Sequence, residues 1–381
     1  MNLLYKYTLL CIGGLIAVTS AVCSIGAVLP DDRADVLYHL YDGGGATIDG
    51  PALLVRKNLG DKVSVSGKYY VDSVSSASVD VVSTASPYTE ERTETSLSAS
   101  YLLDTTIFNL SLTNSDENDF KGRSYFFSVS QELFGALTTV TMGYGLGNDD
   151  VLRNGDDLFA DSIDRQHYQL GVSQVMTKNW VLALDFETIA DEGYLNNPYR
   201  SVRFLDADRL SGFGYEAEVY PRTRTSNAVA LRSRYYLQHG AAITADYRYF
   251  TDTWEIEAHT AELGYIHKFG ERWLIEASYR YSTQTEAEFY SDLFARAGFQ
   301  NFLARDKELS AFDDHSVRIG ASYSFGKNWR FMERGAVNFF YNHVKFNYDN
   351  FRDVTAGGVP GQEPLYGFGA NVIQLYLTVW Y

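Results

Sequence analysis

The chain closes on Ile373-Gln374-Leu375-Tyr376-Leu377-Thr378-Val379-Trp380-Tyr381. Every second residue back from the end, Tyr381, Val379, Leu377, Leu375 and Ile373, belongs to one unbroken apolar face. Side chains on a β-strand alternate between its two faces, so this stretch predicts a strand with one apolar and one mixed face. It also ends on an aromatic residue, at a place where chains usually fray. Two architectures fit these nine residues: the buried last strand of a soluble sheet, or the closing strand of a barrel whose apolar face meets lipid.

The same alternation recurs upstream. Short strands are predicted at residues 35–41 and 46–57, and a turn at 58–61 leads to a face made of Val63, Val65, Gly67, Tyr69 and Val71. After a polar stretch at 73–92 come Leu97-Ala99-Tyr101-Leu103, Phe108-Leu110-Leu112, Tyr125-Phe127-Val129 and Val140-Met142-Tyr144-Leu146 in alternating positions. An acidic loop at 148–163 leads to Tyr168-Leu170-Val172 and then Trp180-Leu182-Leu184-Phe186. The longest break, 191–225, is followed by strands around Leu231, Tyr247, Leu263 and Tyr279. A further break at 284–312 precedes strands around Ile319 and Phe339, and a last loop at 347–366 precedes the terminal strand.

This gives 16 strands whose connections alternate short and long. An even number puts both termini on one side, as bacterial single-chain barrels require. Short turns then fall in the periplasm and long loops outside. Tyr247, Tyr249, Tyr279, Tyr281, Trp273 and Trp180 lie near strand ends on the apolar face, where interfacial aromatic girdles sit. The expected fold is therefore an all-β, antiparallel transmembrane β-barrel of about 16 strands, surrounded by outer-membrane lipid. A terminal aromatic strand also resembles the signal that the barrel-insertion machinery reads.

Bulk properties agree. Lys and Arg number 32 against 48 Asp and Glu, a formal net charge of −16, which argues against a nucleic-acid partner. Aromatic residues make up 15%. Mean hydropathy is −0.21, because lipid-facing and lumen-facing residues cancel in a barrel. After the N-terminus no apolar run approaches the roughly 18 residues a spanning helix needs. Residues 1–27 read as a secretory signal, with Lys6 ahead of an apolar run at 8–18 and small residues after it; cleavage falls between 21 and 27. A membrane anchor and a lipid-modified Cys23 are the weaker readings. Both cysteines, Cys11 and Cys23, lie in this segment, so residues 28–381, the barrel domain, carry no thiol chemistry.

The mixed faces carry charge. Alternation turns Lys68, Asp72, Asp185, Glu187, Arg232, Arg234, Asp246, Arg248, Glu262, Glu276, Arg280 and Arg318 inward. These groups face lipid only at high cost, so they line the lumen, either as a selectivity lining or as ion pairs that stiffen the barrel. The turn at His239 sets Leu237 opposite Ala241 and so Arg232 opposite Asp246, a contact expected inside. Tyr70 and Phe250 also point inward and would narrow a pore. Five arginines lie in the longest break, among them Arg200, Arg203, Arg222 and Arg224. They are expected to pair with neighbouring loops; attraction of anions to the mouth is the alternative.

Catalytic patterns are lacking. None of the seven histidines stands in an HExxH motif, and there is no Gly-x-Ser-x-Gly. Asn148-Asp149-Asp150 to Asn154-Gly155-Asp156-Asp157 lacks the alternating ligands and closing Glu of an EF-hand, and reads as a solvated acidic loop. No catalytic residue, metal site or cofactor is expected.

Several longer segments resemble a known family. They are Asp31-Asp32-Arg33-Ala34-Asp35-Val36-Leu37-Tyr38-His39-Leu40-Tyr41-Asp42-Gly43-Gly44-Gly45, Ser86-Pro87-Tyr88-Thr89-Glu90-Glu91-Arg92, Asn196-Asn197-Pro198-Tyr199-Arg200, Tyr220-Pro221-Arg222-Thr223-Arg224, Phe289-Tyr290-Ser291-Asp292-Leu293-Phe294 and Asn301-Phe302-Leu303-Ala304-Arg305-Asp306-Lys307. Together they resemble a bacterial family of unknown function expected to form outer-membrane β-barrels. The resemblance supplies no activity. It implies a Gram-negative envelope setting near redox or flavin-transfer proteins, and with it a periplasmic partner protein. Three readings follow: a porin-like channel for a small solute, a non-conducting scaffold for an envelope redox or flavin-related partner, and, least supported, an outer-membrane hydrolase.

Overall fold

The computed structural model describes residues 27–76, 88–326 and 332–381. The expected signal segment with both cysteines, the Ser86-Pro87 part of the family-like segment, and Lys327 and Asn328 of one short turn lie outside the described residues.

The strands are β1 (Arg33–Gly43), β2 (Ala46–Leu59), β3 (Val63–Ser76), β4 (Tyr88–Leu103), β5 (Thr106–Asp116), β6 (Phe120–Leu133), β7 (Thr138–Leu152), β8 (Ala160–Thr177), β9 (Trp180–Gly193), β10 (Ser201–Leu205), β11 (Phe213–Ala217), β12 (Thr223–Leu237), β13 (Ala241–Asp252), β14 (Glu257–Phe269), β15 (Trp273–Gln284), β16 (Phe312–Phe325), β17 (Arg334–Arg352) and β18 (Leu365–Trp380). Sixteen close into an antiparallel barrel of sequential neighbours, with β9 followed directly by β12 and β18 pairing β1. β10 and β11 form a separate hairpin inside the longest loop. No described helix is long and apolar enough to cross a membrane, and closure leaves no strand edge unpaired in lipid.

The side chains are arranged inside out relative to a soluble protein. Leu375 is 48% exposed and Leu377 42%, while the flanking Gln374 and Thr378 are buried. The same outward set runs round the ring through Leu53, Leu97, Phe127, Leu170, Leu231, Leu263 and Ile319, all exposed. This apolar band, with polar residues facing in, is the surface of an outer-membrane β-barrel.

Three details differ from the sequence expectation. First, strands run past the end of the apolar alternation. β8 has 18 residues and β17 has 19, whereas about 9–11 tilted residues cross the hydrocarbon layer. Parts of the expected loops at 73–92, 148–163, 191–225 and 347–366 are therefore paired strand, with Asn148 opposite Asp164 and Thr223 opposite Glu192. Above the bilayer nothing demands an apolar face, so the period-two signal stops while the ladder continues. Second, the short/long rhythm is not strict: the long-loop end also holds short connections at 44–45, 117–119 and 253–256. Third, the longest break holds its own hairpin.

The largest apolar core lies in the loops rather than inside the barrel. Phe120, Val151 and Ile163 at strand ends pack with Leu195, Tyr220, Trp254, Ile256, Phe289, Ala304 and Leu309 from connecting segments. Trp254 meets Phe289 edge-on at 5.1 Å and Tyr220 at 5.5 Å between ring centres. Gly193 starts the longest loop at φ +135°, where a Cβ would stand 2.0 Å from the Ser162 carbonyl oxygen, so the turn out of β9 requires glycine.

Candidate functional site: the lumen and its mouth

Lys68, Asp185, Glu187, Arg232, Arg234, Asp246, Arg248, Glu262, Glu276, Arg280 and Arg318 alternate along their strands with exposed residues such as Tyr69, Phe186, Leu231, Tyr247, Leu263, Tyr279 and Ile319, which puts them on the opposite, inner face. Arg232 stands opposite Asp246 in the β12–β13 register, as the His239 turn predicts. The ion pairs run diagonally instead. Arg234 Nη2 donates to Asp246 Oδ2 at 2.8 Å, and Arg232 reaches Asp185 at 3.1 Å. The expected Arg232–Asp246 contact is thus replaced, because a long guanidinium stem reaches the next inward position as easily as the facing one.

The remaining charges except Glu262 form further pairs. Glu187 meets His167 at 2.9 Å and Arg248 at 3.8 Å. Lys68 pairs with Glu94 at 3.1 Å, Arg280 with Asp314 at 2.9 Å, and Arg318 with Glu276 at 3.8 Å. Their burial divides the wall. Arg234 and Asp246 side chains are 34% and 26% exposed, and Arg248 is 44% exposed. Arg280 and Asp314, at 18% and 6%, are packed. Charges on β9, β12 and β13 therefore border water-accessible space.

Tyr70 is buried in a cluster with Leu37 and Ala52, against which Tyr376 packs, and it stacks on His39 at 5.0 Å with its hydroxyl 3.1 Å from His39 Nε2. The same nitrogen is 2.8 Å from Asp72 Oδ1, and Asp72 is fully buried. Phe250 packs at the edge of the loop core, beneath the Arg248 guanidinium.

At the mouth, the loop arginines hold loops to one another. Arg203 is wholly buried and grips both Glu363 and Asp292, the latter at 2.8 Å. Arg200 pairs with Asp306 at 2.7 Å, Arg222 with Asp161 at 2.8 Å, and Arg224 Nε with Asp252 at 2.7 Å. Asp292 also holds Arg305, whose guanidinium covers the Phe351 ring at 4.6 Å. β12 and β17 have four strands between them in the ring. Arg203, in the loop before β12, and Glu363, in the loop after β17, therefore meet across the mouth. Sequence reasoning gave these arginines loop partners but not which loops.

Two carboxylates in this cap are tuned oppositely. Glu218 accepts from the Arg305 N–H at 2.8 Å and the Tyr220 hydroxyl at 2.6 Å. Burial, then the nearby Asp306 carboxylate, push it up to about 7, against the pull of Arg200. At Glu363 burial acts upward as well, but the Arg203 guanidinium and the backbone N–H groups of Glu363 and Gly361 together outweigh it and hold the carboxyl below its ordinary value.

Comparison with known proteins fits this architecture. The family described as Protein of unknown function (DUF3570) matches residues 76–349, more than half of the chain. No curated protein matches. Among solved structures, a bacterial polysaccharide outer membrane secretin is similar over 93% of this chain and 100% of its own, with 7% identity and a TM-score of 0.50. The siderophore receptor PirA from Pseudomonas aeruginosa is similar over 85% of this chain, with 12% identity and a TM-score of 0.45. The chain spans 60% of that receptor's length. OmpT, an outer membrane protein of Vibrio cholerae, is similar over 93% of this chain and 100% of its own, with 10% identity and a TM-score of 0.43. The likeness to the secretin is one of fold.

Proposed function

The chain belongs to the family of proteins of unknown function (DUF3570), and from its lumen we propose that it is an outer-membrane channel for a small polar solute, gated by its loop cap. One observation carries this reading: the paired charges on β9, β12 and β13 remain a quarter to nearly a half exposed on the inner wall. A barrel that served only as a packed strut would bury such groups. Mixed signs suit a polar or zwitterionic solute better than a strongly charged one.

The test is single-channel conductance of the refolded protein in a planar bilayer, beside an Arg203→Ala variant. Ohmic steps that become larger or more frequent in the variant support the channel and its gate. A folded, heat-modifiable barrel that never conducts in either form rejects it. The buried cap favours a second reading, a non-conducting scaffold whose lumen faces a periplasmic partner protein; recovery of one stoichiometric periplasmic protein with a silent barrel would support it.

A further inference from the structure

At the end of the barrel where both termini lie, the inner wall carries a charge that no ion pair satisfies. Val36 and Tyr38 of β1 and Leu53 and Val55 of β2 are exposed on the outside, while Leu37 and Ala52 are buried. Arg33 shares its face with Leu37, and Arg56 shares its face with Ala52, so both arginines belong to the inner wall. They stand directly opposite each other in the β1–β2 ladder. On the other side of Arg56 the ladder places Ser66 of β3. One row of the wall therefore holds two guanidiniums and a hydroxyl, all able to donate hydrogen bonds.

Like charges facing each other across a ladder are destabilising, and Arg33 and Arg56 are near enough to repel. The protein compensates only one of them. The carboxylate whose charge reaches Arg56 is that of Asp35, and Arg33 already holds Asp35 at 2.9 Å. Even so, Arg33 Nε is enclosed, and its approach to Asp35 is not aligned as a hydrogen bond. Arg56 has no ion pair and no side-chain hydrogen bond among the described residues. By contrast, Arg232, Arg234, Arg248, Arg280 and Arg318 on the same inner wall each have a carboxylate within 3.8 Å. Residues 1–26, which precede β1, and 327–331, which join β16 to β17, contain no Asp or Glu that could supply one. An acidic chain thus keeps one positive charge uncompensated beside a second.

We propose that Arg33, Arg56 and Ser66 form a site for a phosphate-type oxyanion on the inner wall, near the mouth where the termini lie. A phosphate group offers enough acceptor oxygens to serve two guanidinium forks and a hydroxyl together, which the two oxygens of a carboxylate do not. Its negative charge makes good what Asp35 leaves uncompensated. The outward face of these strands belongs to Tyr38, Leu53 and Val55, so the oxyanion comes from a soluble phosphate or phosphate ester and not from a phospholipid headgroup. The site is separate from the charges on β9, β12 and β13, and its binding can be read whether or not the lumen conducts.

The experiment is calorimetric titration of sodium phosphate into the refolded full chain in an uncharged detergent, with sodium chloride at matched ionic strength as the blank. Wild type is expected to show one saturable site. Arg56→Ala is expected to weaken it about tenfold or more. Arg209→Ala, in the exposed hairpin of the longest loop, is expected to leave it unchanged. The urea midpoint separates a binding role from a structural one. Without phosphate, Arg56→Ala relieves the repulsion, so its midpoint should equal or exceed that of wild type. A lower midpoint, or failure to fold, would mark Arg56 as a structural residue and overturn the assignment. No saturable heat in wild type, or unchanged affinity in Arg56→Ala, would overturn it equally. Displacement of the phosphate by phosphatidylglycerol in mixed micelles would overturn the soluble source.

Discussion

Arg203 and Glu363 are 160 residues apart in the chain and form a buried, two-pronged pair across the mouth of the barrel, the second contact at 3.3 Å. Asp292 completes the Arg203 site at 2.8 Å. One guanidinium thus joins three loops. Its planar fork holds two carboxylates in fixed directions, a geometry that a lysine's compact ammonium does not reproduce.

Removing that guanidinium leaves Glu363 without its cation and Asp292 with Arg305 alone. Breaking a buried pair in this way costs about 3–5 kcal/mol. Arg203→Ala is expected to loosen the cap while the barrel stays folded. Limited proteolysis should then cut within 285–311 faster than in wild type, at unchanged heat-modifiable mobility. Equal cleavage rates would sink this account of the cap.

The Glu218 carboxyl gives the cap a pH dependence of defined sign. Its value in the folded protein, about 7, lies above the ordinary 4.5. A raised carboxyl stabilises the fold fully below 4.5 and loses that contribution as pH rises through about 7. Cap proteolysis should therefore quicken between pH 5 and 8, and Glu218→Gln should flatten the profile. A wild-type profile that is already flat contradicts it.

The pair of Arg234 and Asp246 is a quarter to a third exposed, so its energetic worth is small, within about 1 kcal/mol. Its field in the lumen is a different matter. Arg234→Ala is expected to leave the unfolding midpoint nearly unchanged and to shift the reversal potential towards cation selectivity. Asp246→Ala should shift it the other way. Reversal potentials under a salt gradient read both.

Leu375 faces lipid and Gln374 faces inward. A charge on the lipid face of a barrel costs up to about 2–4 kcal/mol near the midplane. Leu375→Arg should lower the urea midpoint of the folded barrel clearly more than Leu375→Ala. If the two variants unfold together, the band is not where the strand register puts it.

Much of the barrel was legible because one physical rule, lipid outside and water inside, repeats at every second residue. The face from Ile373 to Tyr381, the 16 barrel strands and the Arg232–Asp246 register all follow from it. The diagonal choice of Arg234 for Asp246 did not, because register fixes backbones and leaves long side chains free. The cap was hidden for a stronger reason. Arg203, Asp292 and Glu363 belong to no periodic segment, and only the closed ring brings them together.

β1 and β18 meet over the full length of β1, from Arg33 opposite Trp380 to Gly43 opposite Ala370. The first and last strands are thus each other's neighbours, and this seam is the most sequence-distant pairing in the molecule. Every other ladder can zip locally, but this one waits for the C-terminus to be made. Closure of the ring thus needs both the first and the last strand, and a ring left open there would present two unpaired edges. It also means that the chain has no privileged starting point. Joined at the seam and reopened at the His239 turn, the same sequence would describe the same cylinder in a different reading order.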